Sequence, residues 1–293
     1  MEALVLSCST GGGHNAAAKA IVSQLKESGH TVTFFDPYSL QSDHLAHVVG
    51  TTYMTFVQHT PDLFGWVYRI GDAYSRMQKK IPIHSPVYWK QKKTSRLLEA
   101  YLREHPCDVI ITTHLFGGEI LTQLKNRHIP LPPVYFVATD YTCSPFVAEV
   151  DADYFVIPSP KLEDVFVKAG IPKEKLLPFG IPTSKPFHES RTPEEAKQEL
   201  GLDPKKKYFL LSGGSIGVGD INDTIDELLT FILSHKDYEI LVLVGNNLHL
   251  KENLEIAYKG VRPLHLIDPT DKVYDYLSAC EVLIAKPGGL SST

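Results

Sequence analysis

Three consecutive glycines and a histidine, Gly11-Gly12-Gly13-His14, are where this 293-residue chain first shows residue types at a spacing suited to chemistry. Glycines ahead of a helix let the backbone turn tightly and leave N–H groups exposed at a positive helix end, which attracts anions. A histidine there is expected to have a lowered pKa, and a neutral imidazole can take a proton from an attacking hydroxyl. The same residues, with Ala16 and with Asp36 closing the next strand, also satisfy the Gly-x-Gly-x-x-Ala fingerprint of dinucleotide binding. Two chemistries are therefore open, proton abstraction from an acceptor and NAD-type hydride transfer, beside a glycine turn that binds nothing.

Further along, Gly213-Gly214-Ser215-Ile216-Gly217 forms a second candidate anion loop. It lacks the lysine of a nucleotide-hydrolysing P-loop, but a pyrophosphate could rest on its N–H groups and the Ser215 hydroxyl. Asp220 and Asp223 follow, either competing with a phosphate or capping the helix. Asp140, in Thr139-Asp140-Tyr141 after an apolar run, places a carboxylate at a strand's carboxyl end. There it would orient a substrate or a base, or simply cap a helix. His14 and Asp140 are the candidate catalytic residues.

The elements that must position these residues alternate regularly. Apolar runs at 4–8, 31–36, 108–113, 134–138, 154–157 and 176–179 read as buried strands, with helical stretches after Gly13, near 116–126 and at 161–169. The Pro/Gly/Ser-rich stretch 180–186 is the best linker, and it divides residues 1–182 from 183–293. Beyond it Thr192-Pro-Glu-Glu195 opens a helix, and strands at 208–212, 239–244, 263–267 and 282–285 repeat the order strand, glycine turn, helix. The fold class is α/β, with two Rossmann-like domains facing a cleft. The chain ends on Lys286-Pro-Gly-Gly-Leu-Ser-Ser-Thr293, so the second domain is expected to be cut off in mid-motif.

Composition narrows the function classes. Cys8, Cys107, Cys143 and Cys280 have no metal or redox spacing, so reduced thiols and a cytoplasmic setting are expected. There is no signal-peptide pattern and no apolar run of about 20 residues. The net charge of −5 argues against a nucleic-acid partner, yet residues 69–103 hold nine basic and only two acidic side chains. Trp66, Arg69, Arg76, Lys79, Lys80, Trp89, Lys90, Lys92 and Lys93 combine rings with cations, a mixture suited to an anionic membrane surface. A solvated helical insertion is the competing reading.

Taken together, Ser9-Thr-Gly-Gly-Gly-His14, Thr112-Thr-His114, Thr139-Asp140, Gly180-Ile-Pro182, Gly213-Gly-Ser215, Gly245-Asn-Asn247 and Lys286-Pro-Gly-Gly-Leu290 resemble a known group. The chain is similar to the monogalactosyldiacylglycerol synthases and processive diacylglycerol glucosyltransferases, relatives of the lipid II-forming N-acetylglucosaminyltransferase. The resemblance implies a GT-B fold and inverting transfer of a hexose from UDP-glucose or UDP-galactose to diacylglycerol or a glycosyldiacylglycerol. It implies a peripheral location on the cytoplasmic membrane face, and neither a catalytic metal nor a cofactor besides the UDP-sugar co-substrate. His14 would be the general base, with Gly11, Gly12 and Gly13 forming the acceptor-side loop. Gly213, Gly214, Ser215 and Gly217 would hold the diphosphate, Asn246 and Ile267 the nucleotide, and Gly288 and Gly289 the sugar and diphosphate.

Two departures stand out. Tyr141-Thr-Cys-Ser replaces the His and Trp that often follow the Thr-Asp pair, and the chain stops before the family's ribose-holding Glu. A truncated lipid- or nucleotide-binding remnant is therefore an alternative, alongside an NAD-dependent oxidoreductase or a UDP-sugar 2-epimerase.

Overall fold

The computed structural model describes residues 1–8, 12–42, 44, 84–189, 191–213, 221–245, 247–286 and 288–293. The described residues divide into two compact units, Met1–Ser184 and Lys185–Ser292.

The first unit is built on six parallel strands, β1 (Glu2–Leu6), β2 (Thr31–Phe35), β3 (Val109–Thr112), β4 (Val134–Val137), β5 (Tyr154–Val156) and β6 (Leu176–Leu177). Their spatial order is β2-β1-β3-β4-β5-β6. The chain runs outward from β1 to β2, then returns to the other side of β1 to lay down β3. That reversal makes the carboxyl ends of β1 and β3 a topological switch point, where the loops splay apart and α/β proteins bind ligands.

Three longer described helices, α1 (Gly12–Glu27), α3 (Lys92–Glu104) and α4 (Leu115–Asn126), accompany this sheet, with two short ones, α2 (Pro86–Lys90) and α5 (Glu163–Ala169). The expected helix at 161–169 opens instead as a 3-10 turn, capped by the Ser159 hydroxyl, and becomes α-helical only from Glu163. The expected strand 176–179 ends at Leu177. Phe179 is 76% exposed, and Gly180, at φ +94, turns the chain away from the sheet.

α4 lies very close to the sheet because its first turn contains Gly117 and Gly118. A Cβ on Gly117 would stand 2.2 Å from Thr112 Oγ1, and one on Gly118 would stand 2.8 Å from a Val150 methyl. The apolar face of α4, including Ile120, Leu121 and Leu124, is fully buried against β3, β4 and β5.

In the second unit β7 (Lys207–Ser212), β8 (Tyr238–Leu243), β9 (Leu264–Ile267) and β10 (Val282–Ala285) form a parallel sheet in the order β10-β7-β8-β9. Around it stand α6 (Pro193–Glu199), α7 (Ile221–Ile232), α8 (Leu248–Ala257) and α9 (Val273–Ala279). α6 opens with the capping box expected from its sequence, Thr192 and Glu195 each satisfying the other's backbone N–H. Here the switch point lies between β7 and β10, which pair so that Ser212 stands opposite Ala285.

Candidate active site

His14 follows β1, and Gly213 follows β7, each at its own sheet's switch point. In the first unit β1 delivers the chain to α1, and His14 is the third residue of that helix. Side chains in a first turn lean back toward the helix N-terminus, so His14 points at the strand ends rather than along the sheet.

Its ring is held from three sides. Nδ1 lies 2.8 Å from the main-chain oxygen of Thr113, the residue after β3, and 2.8 Å from Thr139 Oγ1, beyond β4. The Thr113 hydroxyl in turn donates to the main-chain oxygen of His14 at 3.0 Å. A carbonyl oxygen has no proton to give, so the short Nδ1 contact requires Nδ1 to carry the hydrogen and donate it. Neutral His14 is thereby fixed as the Nδ1–H tautomer, and Nε2 presents a bare lone pair.

Burial is the largest influence on His14 and lowers its pKa below the usual 6.5, while the Asp140 carboxylate and the Thr113 hydrogen bond pull it back up. The sequence suggested a helix-end field as the cause; removal of water from around the ring is the dominant one. Asp140 is positioned by Ser144, whose hydroxyl donates to Oδ2 at 3.0 Å.

His114 packs on the third side, its ring 4.6 Å from that of His14 at an interplanar angle of 85°. It caps α4, its Nδ1 accepting from the Phe116 amide at 3.1 Å. Burial, and then the charge of a protonated His14, push its pKa well below 6.5.

The expected residues fall as follows. Gly12, Gly13 and His14 begin α1, and Asp140 follows β4 in the same unit. In the second unit Gly213 follows β7, Ile267 closes β9, and Gly288 and Gly289 follow β10, all at the carboxyl edge of that sheet. Gly11, Gly214, Ser215, Gly217, Asn246, Trp66, Arg69, Arg76, Lys79 and Lys80 lie outside the described residues. Trp89, Lys90, Lys92 and Lys93 are exposed along α2 and the start of α3, joined by Arg96, while Gln91, Thr94 and Ser95 face inward.

Asp36, the acidic residue of the dinucleotide fingerprint, is engaged locally. It caps a 3-10 turn by accepting from Tyr38 N at 2.9 Å, and it stands against the buried Cys8 thiol. Among the described residues no cluster of three or more His, Cys, Asp or Glu side chains could hold a metal. Among them, too, no helix is long and apolar enough to cross a membrane.

Thr113, Thr139 and His114 were not assigned roles from sequence. The available signal was a Thr-Thr-His run placed directly after a buried strand.

Two units, each built on a parallel sheet with its own switch point, make this an α/β protein of the GT-B class, and solved structures share this fold along nearly the whole chain. An Acinetobacter baumannii MurG matches at TM-score 0.53 and 13% identity, covering 99% of this chain and 74% of that one. A Neisseria meningitidis UDP-GlcNAc 2-epimerase bound to UDP-GlcNAc matches at TM-score 0.57 and 12% identity, covering 99% and 79%.

Residues 14–183 match the model of the monogalactosyldiacylglycerol (MGDG) synthase family, and the chain belongs to that family. A Staphylococcus epidermidis processive diacylglycerol beta-glucosyltransferase is 24% identical over 298 aligned positions, covering 98% of this chain and 71% of the relative.

Proposed function

We propose that this protein is an inverting glycosyltransferase that moves a hexose from UDP-glucose or UDP-galactose to diacylglycerol or a glycosyldiacylglycerol at a membrane surface. Family membership and the activity named for the relative support the reaction class. The observation that carries it is the fixed tautomer of His14, which leaves Nε2 as a proton acceptor at the switch point of the first sheet.

In the proposed reaction the acceptor hydroxyl approaches Nε2. Its oxygen bonds to the anomeric carbon from the face opposite the leaving group, and its proton passes to Nε2. The bond between the sugar and UDP breaks, and UDP leaves with the electron pair. Hydrogen bonding to Thr113 O and the nearby Asp140 carboxylate both favour the imidazolium so formed. The amides of the Gly213–Gly217 loop meet the diphosphate charge, and Ile267, Gly288 and Gly289 bound the nucleotide and sugar. No metal or cofactor enters these steps. The exposed cations of α2 and α3 hold the protein to anionic lipid on the cytoplasmic face.

The test is to incubate the protein with each UDP-sugar and with diacylglycerol in vesicles, and to follow both glycolipid and UDP. Glycolipid formation that falls about 100-fold or more in His14→Ala supports the reading. Full-rate transfer by that variant removes His14 as base. Conversion of UDP-GlcNAc without any lipid acceptor would replace the reading with an epimerase.

A further inference from the structure

We propose that His114 is a positioning residue for His14: its ring, pinned at the N-terminal turn of α4, walls in the His14 imidazole and holds it in one orientation. This rests on the reading of His14 as a base.

A histidine ring attached through Cβ can turn over about χ2, which exchanges Nδ1 with a carbon. After such a turn Thr113 O would face a C–H and the lone pair would point elsewhere. The hydrogen bond to Thr113 opposes that rotation, but one hydrogen bond stabilises only modestly in net terms. This is a modest preference for a group that must present one nitrogen. His114 adds a steric barrier, an edge-to-face ring 4.6 Å away that is itself only 6% exposed.

Two features make His114 a suitable wall. Its Nδ1 is committed to the Phe116 amide, so it cannot take a proton there without breaking the cap of α4. It is also held close to the sheet, because α4 lies so near β3 that a Cβ on Gly117 would meet Thr112 Oγ1 at 2.2 Å. A neutral ring excludes water from the flank of His14 without adding a second charge. The charged or titratable groups that act on His14 are thus Asp140 beyond β4 and His114 at the start of α4.

Ring and cap can be separated. His114→Asn keeps a side-chain oxygen able to cap Phe116 but removes the ring, whereas His114→Phe keeps a ring and removes the cap. The His14 imidazole is followed by nuclear magnetic resonance of the full chain across pH, alongside the pH dependence of kcat for glycolipid formation. His114→Asn is expected to raise the midpoint of His14 by roughly half a unit or more as water reaches its flank. It should lower kcat about tenfold with little change in KM for the UDP-sugar. His114→Phe is expected to leave the midpoint in place. Unchanged His14 titration in a folded His114→Asn variant, or an equal shift in both variants, overturns the proposal. Because the resonance measurement needs no turnover, absence of transfer would count against the proposed reaction and leave this inference to be judged on its own.

Discussion

His14 donates its Nδ1 proton to the main-chain oxygen of Thr113, and Thr113 returns a hydrogen bond from its hydroxyl to the main-chain oxygen of His14. The two residues therefore clamp each other twice, once through each main chain. Since the acceptor on Nδ1 is a backbone atom, no substitution at position 113 removes it outright. Thr113→Val deletes only the return bond. We expect that variant to retain most activity, within about tenfold, whereas His14→Ala loses about 100-fold or more. Initial rates of glycolipid formation by the two variants at one pH check the difference.

The pH dependence follows from burial. In its proposed role as base His14 must be neutral, and burial lowers its pKa from 6.5. The rate should rise with pH along a limb centred below 6.5 and then level off. A log rate against pH for kcat/KM measures the limb; one centred above 7 would assign it to another group.

Glu119 gives a stability effect of the opposite sign. It is fully buried in α4 and faces the Glu149 carboxylate, and burial first, then Glu149, pushes its pKa from 4.5 up to about 9. The folded protein thus holds a proton that the unfolded chain has released, so stability is complete below pH 4.5 and falls as pH rises toward 9. Glu119→Gln, which mimics the protonated acid, should be more stable than the parent by about 3 kcal/mol at pH 7. Urea unfolding at pH 5 and pH 8 should show the gap widening with pH.

Gly117→Ala should be costly. Its new methyl group would meet Thr112 Oγ1 at 2.2 Å, so α4 must lift from the sheet. The expected loss is about 1–3 kcal/mol of stability, together with a fall in activity as His114 and Thr113 move. Thermal unfolding and the transfer rate, measured on the same sample, check both halves.

The basic face of α2 and α3 makes a separable prediction. Lys90, Lys92, Lys93 and Arg96 are exposed and form no ion pair with a described residue. Replacing Lys92, Lys93 and Arg96 with Glu should abolish co-sedimentation with anionic vesicles at low salt and leave folding intact. Binding to purely zwitterionic vesicles that equals binding to anionic ones would reject the electrostatic assignment.

Much of the fold was legible because parallel strands buried on both faces read as unbroken apolar runs, as in Val109-Ile-Ile-Thr112, and helices fill the gaps between them. Capping residues such as Thr192 and Glu195 were legible because their chemistry is local. Sheet order was not. Whether β3 returns beside β1 is decided by long-range packing that no window of sequence contains. His14 was visible as a residue type, but its partner on Nδ1 is a carbonyl oxygen, which every residue has. The reason for its lowered pKa was likewise hidden, since burial belongs to the assembled unit. The short β6 shows the same limit: Phe179 looks like a strand residue until the turn at Gly180 takes it into solvent.

The place of β1 between β2 and β3 bears on how the protein is made. His14 and Thr139 are 125 positions apart, and His14 and Thr113 are 99 apart. A ribosome releases α1 before β3 and β4, so the groups that fix the His14 ring emerge only later. At about 5–20 residues per second, the histidine waits several seconds in the nascent chain with its tautomer and orientation unset. The exposed lone pair of the proposed base is thus created by closure of the sheet and arrives as a late product of folding, although its residue is synthesised before either partner.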